Sequence, residues 1–155
     1  MSLQSDALKV AVTQLGVKEK PLGSNGGKEV DMYLKSVGLG TGYSWCMAFI
    51  YWCFSEAARV NGDIAPLVKT GGVLAAWNKA DKKYRVIGEP QSGDIGIMSF
   101  GNGNGHTFIV EKVAAGVLQT IEGNSNNDGS RNGVEVVRHQ RQMSNKLIKG
   151  YLRYL

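Results

Sequence analysis

The sequence predicts an α+β fold in which N-terminal helices pack on an antiparallel sheet of about five to six strands. Apolar residues recur at helical spacing up to about residue 82 and at the alternating spacing of strands after it. The two kinds of segment do not interleave, which argues against a parallel α/β sheet. The third observation is Gly 21 against Pro 3. Glycine averages about 7% of residues, so this excess marks many tight turns and several short strands. At 155 residues the chain is read as one domain, 1–155, able to bury roughly 70% of its unfolded surface.

Ser5 is positioned to cap a first helix with Leu8, Ala11, Val12 and Leu15 on one face and Gly16 as its stop. Residues 18–27 (KEKPLGSNGG) are a loop by composition. A second helix follows from about Lys28, with Val30, Tyr33, Leu34 and Val37 as its apolar stripe and Gly38 ending it. Ser44 then caps a third helix running to about Arg59, with Cys46, Phe49, Ile50, Cys53 and Ala57 on its buried face, and a fourth is expected over 72–82. Strands are expected over 84–87, 94–100, 106–114, 117–123, 134–139 and 148–155, and a long polar turn over 124–130.

A content of 43% hydrophobic and 20% charged residues is that of an ordinary globule, and no apolar run reaches the length of a membrane span. The first residues lack the basic and apolar regions of a secretory signal. Synthesis in the cytoplasm is therefore expected, with any action at a cell wall following lysis or non-classical delivery. The net charge is +5, and Arg138, Arg141, Lys146, Lys149 and Arg153 fall near the C-terminus with no acid among them. These read as a solvated basic face or as an attraction to a polyanion such as a cell wall. Nucleic acid is disfavoured, because no basic helix is interleaved with aromatic residues. Cys46 and Cys53 on one helix stand about 10 Å apart, beyond the roughly 7 Å a disulfide tolerates. They are read as free thiols. No CxxC pair or histidine cluster suggests a metal, and no metal or other cofactor is expected.

Cys46 opens its helix, where unpaired backbone N–H groups and the positive end of the macrodipole favour a thiolate. A hairpin with its tip near Ala115 places His106 across from Asn124 and diagonal to Glu122, all on one face. A slip of one residue turns His106 to the other face. A cysteine hydrolase needs a thiolate, an imidazole to pass protons and a group that fixes the imidazole tautomer. Cys46, His106 and Glu122 supply these, with Asn124 as a competing orienter or an aid to substrate binding. The Cys46 N–H is a ready oxyanion donor. Tyr43 adds a phenol nearby, and Trp45 is placed to line a substrate groove. The plainer readings are that Cys53 is a small core hydrophobe, His139 a solvated surface residue and Asp94 a turn residue before a strand.

Trp45-Cys46-Met47-Ala48-Phe49, Gly93-Asp94-Ile95, Gly105-His106 and Glu122-Gly123-Asn124 stand in the order and spacing of the WCxxF, GD[IV], GH and ExN motifs of a known family. In them the chain resembles the CHAP family, the cysteine, histidine-dependent amidohydrolases/peptidases of the papain-like superfamily, over about residues 7–125. The resemblance implies a papain-like fold and cleavage of amide bonds in the peptide part of peptidoglycan. The enzyme is then an N-acetylmuramoyl-L-alanine amidase or an endopeptidase of phage-lysin, autolysin or effector type. It implies Cys46 as nucleophile, His106 as general base and acid, Glu122 as orienter and Asn124 as its aid. Glu19 and Asn25 match a Glu and an Asn that recur upstream in a subset of the family, and are expected to contact substrate with Tyr43 and Trp45. Some members bind calcium through an Asp-rich loop before the cysteine; the stretch 38–44 holds no acid, so no metal is expected. A monomer is expected, acting on peptidoglycan peptide, with an immunity or delivery protein as a further partner and the basic C-terminal strand supplying wall affinity. The alternatives are a non-catalytic wall- or polyanion-binding module on the same fold, and a thiol protease or acyltransferase acting on protein.

Overall fold

The helical periodicity is realised in α1 (Leu3–Thr13), α2 (Lys28–Ser36), α3 (Cys46–Val60) and α4 (Val73–Lys79) of the computed structural model, which describes residues 2–125 and 133–155. α1 begins earlier than expected: Ser2, not Ser5, is its cap, its Oγ accepting from the Ser5 N–H at 3.2 Å. The buried face is correspondingly Gln4, Ala7 and Ala11, while Val12 faces solvent. Gln4 is tolerated inside because its amide is used at both ends. Nε2 donates to the Ser92 carbonyl at 3.0 Å and Oε1 accepts from the Tyr154 N–H at 3.0 Å, joining the start of the chain to its finish.

α2 buries Val30, Tyr33 and Leu34 as its stripe predicts, and α3 buries all five residues expected of it. α4 stops at Lys79, short of Lys82. Ala80 turns extended and the Asp81 carboxylate accepts from the Lys83 N–H at 3.0 Å, starting a separate 3-10 turn over Lys82–Tyr84.

The six strands are β1 (Arg85–Val86), β2 (Ile95–Gly101), β3 (Asn104–Ala114), β4 (Val117–Ser125), β5 (Glu135–Gln142) and β6 (Ile148–Leu152). They form one antiparallel sheet in the order β1-β6-β2-β3-β4-β5, so the α+β expectation agrees with the structure. The polar turn expected over 124–130 lies, beyond Ser125, outside the described residues. Strand alternation divides the apolar residues between two cores. Ile95, Ile97, Ile109 and Ile121 join the helices, whereas Met98, Phe108, Val110, Leu118 and Tyr151 form a smaller second cluster.

The β3–β4 hairpin carries the feature on which the site depends. Ala115 and Gly116 have φ of 52° and 76°, the paired positive values of a two-residue turn whose twist matches its strands. That turn sets Ala114 against Val117 and Lys112 against Gln119, a register one residue away from the one that faces His106 with Asn124. A bulge at Glu111 absorbs the difference, and beyond it Val110 faces Thr120 and Ile109 faces Ile121. Glu111 is held there by Arg138 (Nε–Oε1 2.7 Å, Nη2–Oε2 2.9 Å) and by Gln119 (2.8 Å).

Two sequence readings are corrected here. Asp94 is more than a turn residue: it is fully buried, accepts from the Gln91 N–H at 2.8 Å and forms a fork with Arg153 at 2.9 and 2.8 Å. The basic C-terminal residues are not one solvated face either. Arg138, Arg141 and Arg153 each meet a carboxylate, so the field available to a polyanion is smaller than the sequence suggests. The reason is their strand alternation, which sends neighbours to opposite faces, and partners far away in the chain.

Candidate active site

α3 starts without a lid. Its N-cap is Trp45, not Ser44; among the described residues no side chain caps the first-turn N–H groups, and no acid stands in that turn. Four backbone donors at a helix start have no partner within the helix, so they remain directed at whatever anion forms at Cys46, the first helical residue. Cys46 keeps 5% of its surface open, while Cys53, two turns on, has none and sits in the core with its thiol pKa pushed up by burial and by Glu56.

Trp45 occupies the cap position because its indole is fixed. Nε1 donates to Glu19 Oε2 at 2.7 Å, and the ring lies 5.8 Å from Tyr33, centroid to centroid. Trp45 is fully buried, which corrects its reading as the wall of an open groove; the sequence shows the aromatic but not the acid waiting for it. Glu19 is itself buried, its Oε1 accepting from the Gly23 N–H at 2.9 Å. Tyr43 is exposed, and its loop is tied to the 18–27 loop by the Gly42 N–H donating to the Asn25 carbonyl at 2.9 Å.

His106, on β3 opposite Met98, is fully buried. Nε2 bonds Glu122 Oε1 at 2.8 Å. Nδ1 is buried and has no hydrogen-bond partner among the described residues, and the Cys46 thiol is near enough to favour a charge on the ring. With Nε2 occupied, Nδ1 is the nitrogen left to exchange a proton with sulfur, a contact that often tightens only when substrate binds. Burial works against a charge on His106, but hydrogen bonding and charge from Cys46 and Glu122 prevail, and its pKa is pushed up to about 9. Burial likewise opposes ionisation of Glu122; hydrogen bonds from His106 and Arg141 outweigh it and bring its pKa down to about 2. At neutral pH the pair is therefore imidazolium and carboxylate.

Arg141 is the participant that sequence reading missed, having been placed on the solvated face. Its Nε and Nη2 reach Glu122 Oε2 and Oε1, each at 2.6 Å, with 8% of the side chain exposed. Thr120 Oγ1 adds a donor to Oε2 at 2.7 Å. The signal lay in the β4–β5 register, which pairs Glu122 with Val137 and Leu118 with Arg141 and so sets Arg141 on the Glu122 face. Asn124, two residues beyond Glu122, is buried at φ 56° with Oδ1 lacking a partner. His139 lies half-buried on β5, opposite Thr120.

Among the described residues no cluster of His, Cys, Asp or Glu is arranged to hold a metal, and no helix is long and apolar enough to cross a membrane. A cavity of about 660 Å³ opens at the far end of α3, between Leu3, Ala58, Asn61 and Leu155, remote from the thiol and its imidazole.

Helices packed on a six-stranded antiparallel sheet, with a thiol at a helix start and an imidazole on a strand, give a papain-like protein. Residues 38–124, more than half of the sequence, match the CHAP domain, and the chain belongs to that family, which places it among hydrolases. Two solved structures share the fold. The crystal structure of Ly7917 superposes with a TM-score of 0.60 at 18% identity, covering 99% of this chain and 62% of its own. The crystal structure of Ly7917 with the hydrolyzing product of MDP gives 0.57 at 17% identity, covering 97% and 62%. The chain thus spans less than two thirds of that protein. No curated protein sequence matches it significantly.

Proposed function

We propose that this chain is a thiol hydrolase that cleaves amide bonds in the peptide part of bacterial peptidoglycan. The observation that carries the reading is a fully buried His106 whose Nε2 is held by Glu122, leaving Nδ1 for Cys46 at an uncapped helix start. In the first step the Cys46 thiolate attacks the amide carbon, and the oxyanion is met by the Cys46 N–H and its neighbours. As the tetrahedral intermediate collapses, the C–N bond breaks and imidazolium Nδ1–H of His106 protonates the departing amine. Neutral His106 then takes a proton from water, hydroxide attacks the thioester, and the acid leaves with Cys46 restored. Glu122 keeps the ring in one orientation and stabilises its charge.

Asn124, two residues from Glu122, supplies a buried acceptor with no partner among the described residues, for a substrate N–H or the hydrolytic water. Glu19 and Trp45 act by position, the carboxylate pinning the indole that starts α3. Tyr43 and Asn25, on two loops joined by a backbone hydrogen bond, form the rim against which the peptide lies. The Ly7917 complex with the hydrolyzing product of MDP supports seeking the substrate among wall fragments.

Digestion of purified sacculi, read as free amines and by mass spectrometry of the fragments, tests the proposal. Wild type is expected to release new amines and Cys46→Ala to release none while keeping its circular dichroism. A Cys46→Ala variant as active as wild type overturns the mechanism; sacculi bound but never cut point to a binding module, and cleavage of protein alone to a protease.

A further inference from the structure

We propose that Arg141 is a positioning residue of this hydrolase, acting through Glu122 to set the proton inventory of the thiol–imidazole pair. The inference rests on the reading of Cys46 and His106 as the reacting groups. It begins from a problem in the site: Glu122 and His106 are both without solvent exposure, and a lone buried imidazole–carboxylate pair is free to collapse to its neutral form. A neutral Glu122 has a proton of its own to donate and no longer dictates which nitrogen of His106 carries hydrogen.

The guanidinium removes that freedom. Its fork takes one hydrogen bond to each carboxylate oxygen, at 2.6 Å, while Thr120 occupies Oε2 and His106 occupies Oε1. Among the described residues four donors converge on the two oxygens, which leaves the carboxylate an acceptor and turns Nε2 of His106 into an obligate donor. The ring's other nitrogen is thereby assigned to the thiol. Charge follows the same arrangement, because a permanent cation beside Glu122 disfavours its protonation and also limits how strongly it pulls on the proton of His106.

Arg141 is itself braced. Its guanidinium lies 5.4 Å from the centroid of Phe108, and the Phe108 ring lies over Gly96 so closely that a Cβ on Gly96 would stand 2.1 Å from its Cζ. The smaller core on that side of the sheet thus supports the charged network from below, and glycine at 96 is what admits the ring. A basic residue that merely solubilised the sheet edge would need neither the fork nor the aromatic support.

The test follows alkylation of Cys46 by iodoacetamide against pH, with buried Cys53 as internal control, and sacculus digestion in parallel. In Arg141→Met, Glu122 accepts a proton at higher pH, so the acid limb of the Cys46 alkylation profile is expected to move up by about one unit or more. Hydrolysis is expected to fall on the order of 10- to 100-fold, the usual effect of losing a partner that orients a catalytic group, and Arg141→Lys, which keeps charge without the fork, falls between. The decisive arm is the Glu122→Gln background, where adding Arg141→Met is expected to change neither profile nor rate. A folded Arg141→Met with the wild-type profile, or a further shift in the Glu122→Gln background, overturns the proposal. Should Arg141→Met fail to fold, Arg141→Lys with an unshifted profile does so. Wild-type protein that leaves sacculi intact defeats the proposed function instead, and the alkylation profiles still decide the role of Arg141.

Discussion

Asp94 and Glu122 are the same device used twice. Each is a carboxylate without solvent exposure, gripped by the fork of an arginine from the last third of the chain, at 2.8–2.9 Å for Arg153 and 2.6 Å for Arg141. They differ in what else the carboxylate touches. Asp94 is closed off by the Gln91 backbone and by Gln4, which itself clamps the chain's two ends. Glu122 also accepts from Thr120 and from His106, and through that ring it reaches a thiol. A buried ion pair is structural when every partner is fixed, and becomes chemical when one partner is a titrating ring with a nitrogen still uncommitted.

Neutralising each carboxylate in turn breaks the symmetry. Glu122→Gln is expected to lower the turnover of sacculi on the order of 100- to 10,000-fold, the range seen when an orienting carboxylate is lost from a triad. Asp94→Asn is expected to leave activity per folded molecule unchanged while lowering stability by about 1–3 kcal/mol, since it takes one charge-assisted acceptor from a partly exposed guanidinium. Urea titration and turnover on both variants check the crossing; equal losses of activity would erase the distinction.

A smaller effect sharpens the same contrast through pH. His106, raised from 6.5 to about 9, contributes stability that is full below 6.5 and disappears as pH rises through about 9. Glu122, depressed from 4.5 to about 2, contributes stability that is full above 4.5 and disappears as pH falls through about 2. The Tm difference between wild type and Glu122→Gln is therefore expected to be widest between pH 4.5 and 6.5. Hydrolysis is expected to decline as pH passes about 9, where the proton for the leaving amine is lost. Smallest of all, Cys53→Ala is expected to cost about 1–2 kcal/mol by opening a small void, with no change in the alkylation rate of Cys46.

Periodicity made α2 and α3 legible, because Val30, Tyr33 and Leu34, and Cys46 to Ala57, repeat at helical spacing with glycines marking the ends of their loops. The hairpin likewise put Glu122 within reach of His106, whose Nε2 it meets at 2.8 Å, although a tip at Ala115 gives that register only together with the Glu111 bulge. Other features were hidden. The Glu111 bulge depends on Arg138, 27 residues away, and only with the bulge does a two-residue turn agree with the register at the site. Arg141 and Arg153 were indistinguishable from solvated bases, as their partners lie 19 and 59 residues distant in the chain. Trp45 was visible as an aromatic, but its burial follows from Glu19, whose role no spacing rule announces.

The bare start of α3 bears on any effort to toughen this protein against heat. A serine or aspartate at residue 45 is the routine remedy for an uncapped helix and gains about 1 kcal/mol. Here that remedy discards the Trp45–Glu19 lock and plugs the one set of amides that must stay vacant for the reaction. Removing a fully buried indole costs about 3–5 kcal/mol, more than the cap returns, so residue 45 is a place where the usual route to a tougher helix loses stability and reaction together.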